Sequence, residues 1–138
     1  MDIIDSFEQN VGKVWKVLDS KGPITENKLM RGTGLKNNMF YSAVGWLARE
    51  NKICKEDTIY KLGETNLISK IGKDAGKVWR VLDTWGEVDA ISISKLARIG
   101  EKDVFSAVGW LAREGKIEGK VINAGENKIN FWLKQRFG

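Results

Sequence analysis

The hydrophobic pattern of the chain predicts a helix near the start of each half. Apolar residues recur there three or four positions apart, which places them on one face of a helix that buries that face. In the two halves these residues are Val11, Val14, Trp15 and Leu18, and Ala75, Val78, Trp79 and Leu82. Glycine follows each helix, at Gly22 and Gly86, and is expected to end it.

Two further helices are predicted in each half. The second is short and is expected near Glu26–Arg31 and Ser94–Arg98, with Thr25 and Ser92 as N-caps. A turn follows the second helix, and the pattern predicts that this turn is three residues shorter in the second half than in the first. The third helix is then expected over residues 37–50 and 101–114.

After the third helix, the spacing of apolar residues changes from helical to alternating, which is typical of strands. The predicted strands are Ile53–Glu56 and Thr58–Leu62 in the first half, and the longer Ile117–Asn123 and Lys128–Leu133 in the second. Each half therefore ends in a β-hairpin. Three helices followed by a hairpin is the element order of a winged helix-turn-helix.

The two halves are copies of one unit. The nine residues 42–50 return unchanged as residues 106–114, and the same offset of 64 relates residues 12–15 to 76–79. A fixed period of this size indicates one supersecondary unit used twice. The predicted fold is therefore mainly α with small β-hairpin wings (α+β), in two tandem domains over residues 1–65 and 66–138. Units of this size have little core, so we expect them to pack on each other or on a second chain.

The repeated motif resembles a known family. Gly-Lys-Val-Trp near the start of a unit, followed by Gly-Trp-Leu-Ala-Arg-Glu-x-Lys-Ile across the end of the third helix, is similar to an uncharacterised winged helix-turn-helix family of bacteria and archaea. The matching stretches are 12–19 with 45–53, and 76–83 with 109–117. The resemblance implies the fold and a general expectation of DNA binding. The duplication and the longer second wing depart from the single-copy pattern.

Composition and charge reduce the number of function classes that fit the chain. The net charge is +5, with 10 Lys+Arg against 9 Asp+Glu in residues 1–66 and 13 against 9 in residues 67–138, a balance compatible with a nucleic-acid partner. The chain has no histidine, and no motif of a catalytic nucleophile, phosphate loop or metal site occurs. We therefore expect no enzymatic activity and no cofactor. Cys54 is expected to be a small core residue. It is the single cysteine of the chain, which fits a cytoplasmic location. The acidic start of the chain fits the same location. No apolar run is long enough for a membrane span.

The outward face of the third helix and the wings carry the residues that a nucleic acid would contact. Polar and basic side chains there offer hydrogen bonds to base edges and charges to phosphates. These candidates are Lys36, Asn37, Asn38, Ser42, Arg49, Lys55, Lys102, Ser106, Arg113, Lys120 and Lys128. In the second unit, Glu101 and Asp103 flank Lys102 and would repel phosphates. The first unit is therefore the better reader by its local chemistry.

The same helix also fits a protein interface. Glycine inside a helix costs about 0.8–1.0 kcal/mol relative to alanine, so Gly45 and Gly109 indicate close approach of another backbone. The candidate interface residues are Tyr41, Gly45, Trp46, Phe105, Gly109 and Trp110. The tryptophans of this set either line an interface or complete each unit's core. Trp15 and Trp79 are expected in the cores.

Two functions remain open from the sequence. The first is non-catalytic binding of nucleic acid, with duplex DNA favoured, in a regulatory or architectural role such as transcription regulation. The second is a protein-interaction or assembly module, in which the third helices pack against each other, a second copy of the chain or another protein.

Overall fold

A computed structural model describes residues 2–126 and 128–135. The helices in this part of the chain are α1 (Ile3–Lys21), α2 (Glu26–Thr33), α3 (Asn37–Arg49), α4 (Lys73–Trp85), α5 (Ala90–Ala97) and α6 (Glu101–Arg113). The strands are β1 (Ile24–Thr25), β2 (Ile53–Glu56), β3 (Ile59–Leu62), β4 (Val88–Asp89), β5 (Ile117–Asn123) and β6 (Lys128–Leu133). A short π-helical segment, Ile68–Gly72, leads directly into α4.

Each unit has a small antiparallel sheet in which the strand before α2 joins the wing. The strand order is β1-β3-β2 in the first unit and β4-β6-β5 in the second. Ile24 pairs with Tyr60 in the first sheet, and Val88 pairs with Phe131 in the second. The wing therefore packs against the helix-turn-helix through a backbone ladder. The predicted fold class, an α+β tandem winged helix, is confirmed.

The second helix of the second unit begins earlier than its apolar pattern predicted. It spans Ala90–Ala97, and its N-cap is Asp89, whose carboxylate accepts hydrogen bonds from the amide and the hydroxyl of Ser92. The prediction of Ser92 as the cap was wrong, because the helix already begins at Ala90 and Asp89, at the end of β4, occupies the cap position. Three residues separate the second and third helices in both units, so the expected shorter turn is also corrected.

The two units exchange their N-terminal turns. Ile3 and Phe7 of α1 are buried in the core of the second unit, where the Phe7 ring lies 6.4 Å from that of Phe131. Ile71, which the repeat offset pairs with Phe7, is buried in the core of the first unit. Each core therefore contains a side chain that belongs, by sequence, to the other copy. This reciprocal exchange ties the two units together.

Tryptophan placement on the first helices differs from the prediction. Trp15 and Trp79 are 41% and 37% exposed, whereas Val14 and Val78 are fully buried. Adjacent helical positions point about 100° apart, so each tryptophan lies at the edge of the buried stripe. The assignment of Trp15 and Trp79 to the cores is therefore corrected. Cys54 is buried in β2, as predicted.

Candidate interface between the third helices

Helices α3 and α6 pack directly on each other through glycine. A Cβ atom built on Gly45 would overlap the backbone carbonyl of Ser106, and one built on Gly109 would overlap that of Ser42. The two contacts are related by the repeat offset, so they form a pseudo-twofold pair. Only residues without a side chain allow backbones to come this close. The glycines that weaken each helix locally are therefore what permits the helices to meet.

Reciprocal ion pairs link the C-terminal ends of the same two helices. The guanidinium Nε of Arg49 lies 3.1 Å from a carboxylate oxygen of Glu114, and that of Arg113 lies 3.0 Å from Glu50. The Arg49 guanidinium also lies 5.7 Å from the centre of the Trp110 ring. The glycine contacts lie near the middle of both helices and the ion pairs at both C-terminal ends, so the two helices run in the same general direction. Each exposed pair is worth roughly 0.2–1 kcal/mol, so the pairs mainly fix the register.

The predicted interface residues lie mostly across this contact. Trp46 packs against the core of the second unit, while Tyr41 and Trp110 contact both cores. Phe105 is different: it is buried in its own unit, where its ring meets Phe131 edge-on at 6.1 Å. Its role in an interface is corrected, because α6 turns this side chain toward the second core.

A hydrogen-bonded cluster centred on Glu26 lies beside the first third helix. The hydroxyls of Tyr41 and Tyr60 donate to the two oxygens of the Glu26 carboxylate at 3.1 and 2.8 Å. Burial, with the charge and hydrogen bond of Glu26, raises the pKa of Tyr41 to about 12. Burial and the bond to Glu26 also raise the pKa of Tyr60 above its ordinary value. The Lys55 ammonium lies 3.8 Å from Glu26 and forms part of this cluster. This lysine was predicted to contact a nucleic acid.

Four of the predicted nucleic-acid contacts face the partner helix. Ser42 and Ser106 are buried, and the Ser42 hydroxyl donates within its own helix, to the carbonyl of Asn38. Arg49 and Arg113 are held in the ion pairs across the contact. The assignment of the two serines to nucleic acid is corrected, because the packing of α3 on α6 buries them. The Arg49 and Arg113 side chains remain 45% and 47% exposed in their ion pairs, so their assignment stays a prediction.

The other predicted contacts lie at the rim of the molecule. Lys36 and Asn37 are exposed at the start of α3, and Asn38 is half-buried. Lys102 is exposed at the start of α6, next to Asp103, whose carboxylate is 3.6 Å from the ammonium of Lys70. The second wing exposes two further lysines, Lys120 and Lys128. Exposed basic side chains are therefore present at the start of each third helix and on the second wing, and their contact with nucleic acid stays a prediction.

Sequence reasoning missed the exchanged N-terminal turns and the polar pair buried beside them. Asn10 and Asp74 occupy equivalent positions and are 7% and 3% exposed. The ammonium of Lys70 lies 2.7 Å from Asp74, and this hydrogen bond raises the pKa of Lys70. The repeat offset, which aligns Phe7 with Ile71, was the available signal. It could not show that each side chain enters the other unit's core.

Other classes of site find little support in the part of the chain that the structure describes. Its His, Cys, Asp and Glu side chains form no group of three that could hold a metal ion. None of its helices is long and apolar enough to cross a membrane.

Comparison of the sequence with models of protein families identifies the family. The model of the winged helix-turn-helix domain (DUF2582) matches twice in tandem, over residues 7–63 and 64–133. These matches cover nearly the whole chain, so the protein belongs to this family, and the resemblance drawn from the repeated motif is confirmed. No curated protein and no solved structure shows significant similarity to the chain. Winged helix-turn-helix domains are associated with DNA binding in general, and fold alone does not assign the role of a particular member.

Proposed function

We propose that this protein is a non-catalytic protein-interaction module, built as a fused dimer of two winged helices. The packing of α3 on α6 carries the proposal. In a groove-reading helix-turn-helix, the outward face of the third helix enters the major groove of DNA. Here that face is filled by the other third helix, down to the contact between Gly45 and the backbone of Ser106. The third helices thus act in assembly.

A partner protein would then bind to the outer faces of the two units, away from the contact between α3 and α6. Several large apolar side chains are exposed there: Trp15, Trp79, Trp85, Ile91, Leu96, Val121 and Ile122. Trp85 is 63% exposed and shares a shallow hollow with Leu96 and Arg80. Tryptophan and arginine are enriched where proteins bind each other. The exposed side chains of Trp85 and Leu96, with Arg80 beside them, support a protein partner over a phosphate backbone.

A second candidate is sequence-independent binding of duplex DNA at the rim. It is favoured by the net charge of +5 and by the exposure of Lys36, Asn37, Lys102, Lys120 and Lys128. Contacts of this kind reach phosphates without reading bases. Under this candidate the role would be architectural, and the third helices would stay paired.

Fluorescence anisotropy with a random-sequence duplex, titrated over salt, separates the two candidates. The interaction module predicts no saturable binding even at low salt. Binding whose affinity falls steeply with salt would contradict it and support phosphate contacts. In that case Lys36→Glu with Lys102→Glu should lower the salt slope by about two, since each lysine lost removes roughly one released counterion. Glu101→Gln, at the same rim, is a control that should not weaken binding. Light scattering on the same sample shows whether copies of the chain associate.

A further inference from the structure

A cavity of about 410 Å³ is lined by residues of the second unit, two of which, Trp110 and Glu114, also contact Arg49 across the interface between α3 and α6. Its aromatic and apolar wall is formed by Trp79, Trp110 and Leu111, and Gly72 and Gly76 also line it. Binding sites for small molecules are typically clefts of about 300–1,000 Å³ that are mostly apolar with a few polar groups. This cavity has that size and composition.

The glycine at position 76 is not explained by packing. Gly76 lies inside α4, where glycine destabilises a helix relative to alanine. A methyl group added there would meet no atom within 4 Å beyond its own helix and chain neighbours. The fold therefore does not require glycine at this position. Gly12, its equivalent in the first unit, is likewise surrounded by open space, so the glycine belongs to the repeated unit. At position 76 it leaves the backbone of α4 open to a ligand in the cavity.

The backbone leading into the cavity is also unusual. The π-helical segment Ile68–Gly72 ends at a residue of the cavity wall. Single π-helical turns are rare and occur frequently at functional sites. The segment lets Ile71 reach the core of the first unit while Gly72 lies beside the ring of Trp110. The cavity is thus formed where the two units join.

The charges that line the cavity select an anion. Glu114 is balanced by two cations, with its carboxylate oxygens 3.1 Å from Arg49 and 3.5 Å from Lys116. Arg80 also lines the cavity and has no ion pair within residues 2–126 and 128–135. A guanidinium binds a carboxylate through two parallel hydrogen bonds. One unpaired guanidinium beside aromatic walls fits a ligand that combines a flat ring with a carboxylate.

We propose that this cavity binds a planar aromatic acid. The ring packs on Trp79 and Trp110 over the backbone of Gly76, and the carboxylate pairs with Arg80. The site shares Trp79 and Arg80 with the outer surface assigned above to partner binding, but its ligand and its test do not depend on that function. It adds a small-molecule ligand to a protein that is otherwise expected to bind macromolecules.

Indole-3-acetate is a suitable probe, with its neutral amide, indole-3-acetamide, as the control for charge. Calorimetric titration should detect saturable binding of the acid, and Arg80→Gln should weaken it about tenfold or more while hardly affecting the amide. Gly76→Leu fills the cavity and should abolish binding while raising thermal stability, because it removes a helical glycine. Gly12→Leu, the equivalent change on the first unit, should raise stability and leave binding intact.

Fluorine NMR of protein labelled with 5-fluorotryptophan locates the probe. The chain has six tryptophans, and the resonances of Trp79 and Trp110 should shift, while that of Trp132 should not. The proposal is overturned if indole-3-acetate, benzoate and 2-naphthoate all fail to bind at millimolar concentration. It is equally overturned if Gly76→Leu binds like the wild type, which would indicate that the acid binds outside this cavity.

Discussion

Gly45 and Ser106 lie so close across the two third helices that a methyl group on Gly45 would overlap the Ser106 carbonyl oxygen. The pair recurs with the roles exchanged, at Gly109 and Ser42. Sixty-four residues of chain separate the two copies of the contact, so the fused repeat reproduces inside one molecule the symmetry of a dimer. Reading DNA with either helix would require this contact to open.

The glycine contact makes a prediction about stability. Gly45→Ala should lower the free energy of unfolding by about 3 kcal/mol, because backbone overlap cannot be relieved by a side-chain rotation. Gly12→Ala is the matched control, since Gly12 is helical and has open space around it. That change should raise stability by about 1 kcal/mol. Urea denaturation measures both, and equal stability of Gly45→Ala and wild type would contradict the contact.

The exchanged N-terminal turn predicts an effect at a distance in sequence. Phe7→Ala should cost about 3–5 kcal/mol and should loosen the second unit, because Phe7 is buried among its side chains. Val14→Ala, in the same helix, should loosen the first unit instead. Hydrogen exchange followed by mass spectrometry distinguishes the two. If Phe7→Ala speeds hydrogen exchange only in the first unit, the N-terminal turns of the two units do not enter each other's cores.

The tyrosines bound to Glu26 predict a loss of stability at high pH. Burial and Glu26 raise the pKa of Tyr41 to about 12, whereas a tyrosine in the unfolded chain titrates near pH 10. The unfolded state therefore loses its protons first, and stability falls as the pH rises from about 10 to 12. Replacing both Tyr41 and Tyr60 by phenylalanine should flatten this part of the stability curve. An unchanged slope between wild type and the double variant, measured by denaturation at each pH, would argue against the cluster.

The cap of α5 predicts an effect at low pH. Burial alone would raise the pKa of Asp89, but hydrogen bonds from Ser92 and the charge of Lys128 lower it below its ordinary value. The stabilisation is therefore present above the unfolded pKa of about 3.9 and is lost as the pH falls through the folded value. At neutral pH, Asp89→Ala should cost about 1 kcal/mol, and Asp89→Asn should cost less because asparagine also caps helices. Equal losses for the two variants at neutral pH would mean that the side chain is not acting as a cap.

Local patterns predicted most of the fold, and the reasons for the errors are physical. The strands β5 and β6 have the predicted bounds, and the third helices end one residue earlier than expected, because alternation and helical spacing are local signals. The start of α5 was misplaced because its cap comes from Asp89, in the preceding strand. The exposure of Trp15 depends on how many other elements pack against α1. The periodicity of α1 carries no information on that number.

The interface was predictable only in part. Gly45 and Gly109 indicated a close backbone approach, and the structure shows what approaches: the other third helix of the same chain. Sequence alone left a second chain equally open, since both arrangements use the same residue types. The entry of Phe7 into the second core and the cavity beside Gly76 depend on contacts between units, which no local pattern encodes.

The pairing of the third helices is tested most directly by nuclear Overhauser effects between Gly45 and Ser106, measured in the free protein and again with duplex DNA at low salt. Paired third helices should give strong effects between Gly45 and Ser106, and between Gly109 and Ser42, in both samples. A mixture of labelled and unlabelled chains should show that they arise within one molecule. Their absence from the free protein, or their loss when DNA is added, would show that the third helices do not stay paired.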